Sequence, residues 1–525
     1  MENKALDKLH RGQIQFGDST FNPIKVSISQ FYGIEINDFA VTVAKTALWI
    51  AESQMMKETE SILHLNLDFL PLKSYTNIIE GNSLRIDWND VIDKTELNYI
   101  MGNPPFIGMK EQTNQNKEDM KLVIPIKKFK QLDYVACWYF KAATYIDNTN
   151  IEVAFVSSNS ITQGEQALTI WKPLFDNYNL KINFAYRTFK WDSEAAIKAH
   201  VHCVIIGFAK FSRKEKVIYD GQTINKCNNI NQYLTPGDNI FIDKIGNPIQ
   251  NVQVMTKGAQ LIDGGNFIIG NEEKYIELLK NEPNIKKYIR EYYNAKDLLN
   301  NGEKTYVLYL ENCPPDEIKN SKFIKERVKA VYDFRANNES PSTNILKDRP
   351  SKYFQPQVPE GKSVVVPVVS SENRRYIPMC FMPEGMVYTN ALFFVDNATI
   401  YTFGVLTSNV HMSWMRTICG RLEMRYRYSN TMVYNTFPWP TPNEKQKARI
   451  EQTPQAILDA RSKYPNSSLA DLYDELTMPV ELRKAHQQND IAVMEAYGFN
   501  WHKMTESDCV AELMKMYQKL VEENK

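Results

Sequence analysis

The chain has 525 residues, 43% of them hydrophobic and 12% aromatic, enough to bury large cores and to form two or three domains. Its 62 basic and 62 acidic residues cancel to a net charge of zero, which excludes a generally basic nucleic-acid-binding surface and leaves only a local patch for such a partner. The 7 scattered cysteines include no Cys-x-x-Cys pair, which argues against a disulfide framework and a structural zinc site, and no apolar run approaches the roughly 18 residues of a membrane span. Cys137, Cys203 and Cys419 read as small packing residues, and a cytoplasmic protein is expected.

In chain order, Phe31-Tyr32-Gly33-Ile34-Glu35-Ile36 is a strand pattern ending in an acidic residue, and a helical run follows from 39 to about 57. A carboxylate at the carboxyl end of a parallel strand can accept both hydroxyl hydrogens of a ribose diol. Glu35, with Ile36 beside it, is that candidate; a solvated strand-end charge is the alternative. Asn77 to Leu84 forms another short strand ending in polar residues, which places Asn82, Ser83 and Leu84 to touch an adenine ring.

The apolar stretch Tyr99-Ile100-Met101-Gly102 then leads into Asn103-Pro104-Pro105-Phe106. Chemistry on an exocyclic amine needs two acceptors for its N–H bonds and a flat apolar surface against the ring. The Asn103 amide oxygen and the Pro104 carbonyl can be the acceptors, the prolines stiffen the backbone, and Phe106 offers the stacking face. A proline-stiffened turn after a strand is the other reading.

A helix over 131–147 and strands over 151–157, 182–189 and 201–208 continue the alternation and imply a mainly parallel sheet. Asn159, Thr162, Gln163 and Gln166 follow a strand and belong at its carboxyl end, while Phe189 and Trp191 are candidates for a second stacking face. Residues 216–250 read as a polar, extended connection. Residues 251–440 read as an α+β domain with helices near 272–281 and 323–336 and a strand at 363–367. Arg416, Arg421, Arg425 and Arg427 cluster with Trp414, Tyr426 and Tyr428, a basic aromatic patch able to dock DNA on a neutral protein. The tail from 441 is helical by pattern, with Pro454 and Leu482 near helix starts and Trp501 as a core anchor.

The ordered set GIEIND, EGNSLRIDW, GNPPF, VSSNSITQGEQ and HVHCVIIGF resembles the N6-adenine DNA methyltransferases, and more narrowly the MmeI-type (type IIL) single-chain restriction-modification enzymes. GRLEMRYRYSNTMVYNTFPWP and DLYDELTMPVELRKAH extend the resemblance through the recognition and C-terminal segments of that family. It implies an α/β fold: a Rossmann-like class I methyltransferase sheet with its connection over 1–250, a DNA target-recognition domain over 251–440 and a small helical domain over 441–525. It implies methyl transfer from S-adenosyl-L-methionine to N6 of a flipped adenine in double-stranded DNA. Asn103, Pro104, Pro105 and Phe106 would be catalytic; Glu35, Ile36, Asn82, Ser83 and Leu84 would bind the cofactor; Arg416, Arg421, Arg425, Arg427 and Tyr428 would face DNA; no metal would be needed.

That family also requires a glycine-rich loop after its first strand, and none of the 21 glycines here is separated from another by a single residue. The first strand and the loop are expected to be missing, with two sheet edges left unpaired unless an N-terminal methyltransferase or nuclease polypeptide supplies them. Without a nuclease segment, no magnesium-dependent DNA cleavage is expected. Two other readings stay open: a catalytically inactive DNA-binding fragment, and methylation of a planar amine in RNA or protein.

Overall fold

The computed structural model describes residues 26–63, 77–127, 129–191 and 201–524, which divide into two compact units. The first holds residues up to 157 together with 173–183 and 205–213, and the second holds the rest.

In the first unit, β1 (Tyr32–Glu35) runs parallel to β2 (Asn77–Glu80), with Glu35 opposite Glu80. Helix α1 (Asp38–Leu63) follows β1. β3 (Tyr99–Gly102) is parallel to β4 (Glu152–Ser158), with Gly102 opposite Phe155. Between them lie α2 (Asn114–Val123) and α3 (Ala136–Tyr145). Thr113 starts α2 with a capping box in which its side chain and that of Asn116 each accept the other's backbone N–H, satisfying donors that a helix start leaves open. In α3, Ala136, Cys137, Tyr139, Phe140, Ala142, Ala143 and Tyr145 are all buried, as befits a helix enclosed by protein.

A six-stranded sheet has the order β3-β4-β6-β5-β7-β8, where β5 is Lys181–Trp191, β6 Val201–Ala209, β7 Lys216–Asp220 and β8 Thr223–Cys227. β3 lies at one end of this sheet: among the described residues β4 is its only strand partner, and Tyr99 and Met101 are 67% and 80% exposed. β1 and β2 form a separate pair. The extended connection expected from 216 is corrected: β7 and β8 form an antiparallel hairpin turning at Gly221-Gln222, with Gly221 at φ 58°, a turn masked in the sequence by the polar, asparagine-rich composition around it.

The second unit is mainly antiparallel. One sheet has the order β10-β12-β11-β16, built from Ile268–Gly270, Thr305–Leu308, Ile289–Tyr293 and Val387–Tyr388. Another has the order β15-β13-β17-β9, built from Cys380–Met382, Ser363–Pro367, Leu392–Val395 and Met255–Lys257. A third joins β14 (Val369–Ser370) to the hairpin of β18 (Gly420–Leu422) and β19 (Arg425–Arg427). Arg335, in the last turn of the helix Lys322–Ala336, is fully buried. All five of its N–H bonds are spent on carbonyls: those of Leu261, Ile262, Leu346, Arg349 and Lys352, at 2.8 to 3.1 Å.

The C-terminal helices Glu444–Ser462, Val480–Ala496 and Glu506–Glu523 share one core with the recognition segment, in which Trp414, Phe437, Trp439, Leu482 and Leu513 are buried. Pro454 lies inside the first of these helices rather than at its start, and Trp501 is 38% exposed and stacked on His502 rather than anchoring the core. Gly404 occupies the helix Ile400–Leu406, where glycine costs about 1 kcal/mol relative to alanine. Close contact explains it: an added Cβ would sit 2.9 Å from the Ile450 carbonyl oxygen and 2.8 Å from Pro454 Cγ. Gly404→Ala is therefore expected to destabilise the second unit by about 1–3 kcal/mol, read as a lower urea midpoint; an unchanged midpoint would show that these helices yield freely.

Candidate functional site

The segment Asn103 to Phe106 leaves the carboxyl end of β3. Pro104 is buried, Phe106 half-buried, and Asn103 and Pro105 are exposed. Among the described residues the Asn103 amide has no hydrogen-bond partner, so both its oxygen and its nitrogen face outward uncommitted. Just beyond it the loop is pinned: the Tyr134 backbone N–H donates to the Ile107 carbonyl at 3.0 Å, and buried Gln112 Nε2 donates to the Leu132 carbonyl at 2.8 Å.

Glu35 is half-buried at the end of β1, where its Oε1 accepts the Asn37 backbone N–H at 3.2 Å, and Ile36 beside it is exposed. The Gly81 N–H donates to the Glu35 carbonyl at 2.8 Å, tying together the ends of β1 and β2. A side chain at Gly81 would run into Ile86 Cδ1 at 2.5 Å. In the loop that follows, Asn82 Oδ1 accepts the Leu84 N–H at 2.9 Å and its Nδ2 donates to Asp119 Oδ2 at 3.0 Å. Ser83 Oγ accepts Trp138 Nε1 at 3.1 Å, the Ser83 carbonyl accepts Trp88 Nε1 at 2.9 Å, and the buried Leu84 passes its carbonyl to Lys141 Nζ at 3.3 Å.

These contacts reveal residues that local sequence reading missed. Tyr134, just before α3, and Trp138, Lys141 and Tyr145 on it recur at helical spacing. Trp138, Lys141 and Tyr145 grip the segment 83–92, with the Tyr145 hydroxyl donating to the Ile92 carbonyl at 2.7 Å and its ring edge-on to Trp88. Tyr134 instead donates its hydroxyl to Asp119 at 2.7 Å. Asp119, on α2, is only 1% exposed and also accepts Arg85 Nε at 2.7 Å. Burial pushes its carboxyl pKa up, but the hydrogen bonds from Tyr134, Arg85 and Asn82 outweigh it and hold the group below the usual carboxylate range. The one signal in the sequence was the spacing of four and then seven between Tyr134, Trp138 and Tyr145, aromatic side chains with polar tips.

In the second unit Asn159 and Thr162 are buried in a short turn, with the Thr162 hydroxyl donating to the Asn159 carbonyl at 2.9 Å, and Gln163 is half-buried with its Oε1 enclosed and without a hydrogen bond among the described residues. Gln166 and Phe189 are half-buried; the Trp191 side chain lies outside the described residues. The basic patch separates into two layers. Arg416 is ion-paired with Glu506 at 2.7 Å, and Arg421 stacks on Tyr426 with 3.9 Å from guanidinium to ring centre. Tyr428 is 2% exposed and hydrogen-bonded to His411 Nε2 at 2.8 Å, so it supports the strand from behind. Arg425 and Arg427 project from the exposed side, Arg425 paired with exposed Glu423 at 2.8 Å.

Comparison with known proteins covers the same ground. Family models described as MmeI, DNA-methyltransferase domain, MmeI, target recognition domain and MmeI, C-terminal domain match residues 1–220, 236–441 and 442–524. The solved structure of the type IIL restriction-modification enzyme MmeI in complex with DNA is 42% identical, with a TM-score of 0.82, covering 99% of this chain and 70% of that one. DNA methyltransferase A of Bacillus subtilis (strain 168) is 37% identical over 529 residues, covering 99% of this chain, which in turn spans 59% of that protein's length. The chain belongs to the MmeI family of type IIL restriction-modification methyltransferases.

Proposed function

We propose that the chain carries the site of a DNA methyltransferase specific for adenine N6. The double use of Tyr134 carries the reading: its backbone N–H holds the loop after Asn103–Phe106, and its hydroxyl holds the Asp119 that anchors Asn82. One residue thus joins the segment suited to an exocyclic amine to the segment suited to an adenine ring.

In this reading the Asn103 amide oxygen and the Pro104 carbonyl accept the two amine hydrogens of an extruded adenine, Pro105 keeps the loop rigid, and Phe106 stacks on the ring. Glu35 takes the ribose hydroxyls of S-adenosylmethionine, Ile36 and Leu84 border its adenine, and Asn82 and Ser83 meet the ring's polar edge. The cofactor, when bound, supplies an electrophilic methyl group. The chain's contribution is orientation: with both N–H bonds held, the amine's lone pair faces that methyl in line. A DNA substrate places the reaction in the cytoplasm, and among the described residues no helix is long and apolar enough to cross a membrane.

The pair β1–β2 and the six-stranded sheet are read as parts of one Rossmann-like sheet. A further polypeptide segment, N-terminal in the family's order, would pair along the side of β3 away from β4 and bring the glycine-rich turn for the cofactor's methionine part. Double-stranded DNA is assigned to the face of β18–β19 that bears Arg425 and Arg427. The exposed Arg425–Glu423 pair contributes little stability, so the arginine can exchange that partner for a base edge. Arg425→Ala is expected to weaken or relax recognition by about 1–3 kcal/mol without altering cofactor affinity, measured by fluorescence anisotropy on target and scrambled duplexes. Equal loss on both duplexes would make Arg425 a phosphate contact instead.

A second reading, DNA recognition without turnover, is favoured by the lack of any Gly-x-Gly turn in the sequence. Calorimetric titration with S-adenosylmethionine, run beside transfer of labelled methyl to DNA and identification of the product nucleoside, separates the two. Binding with N6-methyladenine as product supports the first reading, a methylated cytosine overturns its adenine specificity, and DNA binding with neither cofactor binding nor transfer supports the second.

A further inference from the structure

In the second unit a cleft of about 710 Å³, a volume typical of small-molecule sites, opens beside β11 and is lined in part by Lys287, Arg290, Tyr309, Glu360 and Glu384. It lies away from the β18–β19 hairpin: Val369, which pairs with Arg427, follows Glu360 by nine positions that run along β13 and span up to about 30 Å. Lys287 is spent, its Nζ paired with Glu317 at 2.6 Å. Arg290 is uncommitted. Its half-buried guanidinium lies over the Tyr309 ring, 4.5 Å from the ring centre, a contact that uses its face and leaves the N–H bonds in its plane; among the described residues they meet no acceptor. The exposed Glu360 and Glu384 side chains likewise have no ion pair or hydrogen bond among the described residues.

These charges of mixed sign select the ligand. An anion suits Arg290 but meets two acceptor-only carboxylates, and a cation meets the arginine; a neutral ring with acceptors on one edge and donors on another satisfies both kinds of group. Guanine has that pattern: O6 and N7 take an arginine fork, and N1–H with the 2-amino group donates to a carboxylate. Adenine puts a donor beside N7, and cytosine has only its 4-amino group for the carboxylate. We propose that this cleft is a binding site for a guanine ring, with Arg290 on its O6/N7 edge and Glu360 or Glu384 on its N1–H and 2-amino groups. Tyr309 holds the fork in one plane before the ring enters, which lowers the ordering cost of binding. A guanine inside a duplex hides its second edge in base pairing, so the ring comes from a free nucleoside or from an unpaired position in a DNA strand.

Calorimetry on the full chain compares guanosine with cytidine, with inosine, which lacks the 2-amino group, and with 7-deazaguanosine, which carries a C–H in place of N7. Guanosine should bind about tenfold or more tightly than either purine analogue, because each of them loses a charge-assisted hydrogen bond. Arg290→Ala should abolish guanosine binding, and the double variant Glu360→Gln, Glu384→Gln should weaken it about tenfold or more. A short oligothymidine with and without one central guanine identifies the source. A guanine that tightens binding about tenfold points to a DNA strand, and guanosine binding without such a gain points to a free nucleoside. Equal affinity for guanosine and the two purine analogues, tighter binding of cytidine than of guanosine, or absence of both guanosine binding and the guanine gain overturns the proposal without any variant having to fold. Guanosine binding that survives Arg290→Ala also overturns it, since the ring then sits elsewhere.

Discussion

Asn103→Ala is expected to lower single-turnover methyl transfer by at least 10²- to 10³-fold, roughly 3–4 kcal/mol of transition-state stabilisation, while DNA affinity stays within about twofold. The side chain supplies one of two amine acceptors, and it acts when the lone pair is aligned with the methyl group. Its amide is exposed and makes no hydrogen bond among the described residues, so truncation orphans no buried group and the fold should be indifferent. Pro104 would still offer its carbonyl, which leaves one N–H held and the lone pair free to swing. Transfer of labelled methyl at saturating enzyme, beside anisotropy titration of the same duplex, reads both quantities. Parallel loss of binding and transfer would mean that Asn103 is a DNA contact rather than an amine acceptor.

Arg335→Ala should be the most damaging single truncation for stability, at about 4 kcal/mol or more in urea unfolding of the second unit. The guanidinium is fully buried, and its hydrogen-bond partners are five backbone carbonyls from two separate stretches of chain, not a carboxylate. Burial draws its pKa down and nearby Asp263 opposes that shift. Removing the side chain takes the donor from the Leu261, Ile262 and Lys352 carbonyls, leaves Leu346 and Arg349 only the backbone N–H groups of Arg349 and Lys352, and opens a large cavity. Arg335→Lys keeps the charge but brings three donors on one nitrogen in place of a planar fork of five, so it should recover only part of the loss. A loss below about 1 kcal/mol for the alanine variant would show that water fills the site and takes over the carbonyls.

What could be read from the sequence follows the range of the interactions. β3 and the loop after it were legible because an apolar run and two prolines act on their own backbone. The helix at 272–281 was legible because its period and its Asn271 cap are local. Asp119 was not, because the groups that make it a hub stand 34 to 37 positions away at Arg85 and Asn82, and Trp138 meets Ser83 across 55 positions. Spacing alone also placed Arg416 and Tyr428 in the DNA-facing set. Period-two alternation along β19 and past it buries Tyr426 and Tyr428 and exposes Arg425 and Arg427, and an ion pair to a helix ninety positions away holds Arg416. Trp501 was assigned to the core on hydrophobicity, yet it sits in a short interhelical loop where His502 is its stacking partner.

The side of β3 away from β4 also governs how the protein behaves in concentrated solution. With no strand paired there among the described residues, and with Tyr99 and Met101 of the strand itself exposed, it is a template for another copy's strand. A net charge of zero gives approaching molecules no long-range repulsion. The charged run Asp93-Lys94-Thr95-Glu96 just before the strand is the local brake on such pairing, and it acts at one end only. Colloidal stability near neutral pH therefore rests on keeping that edge covered, and a strand-shaped partner would solubilise the chain.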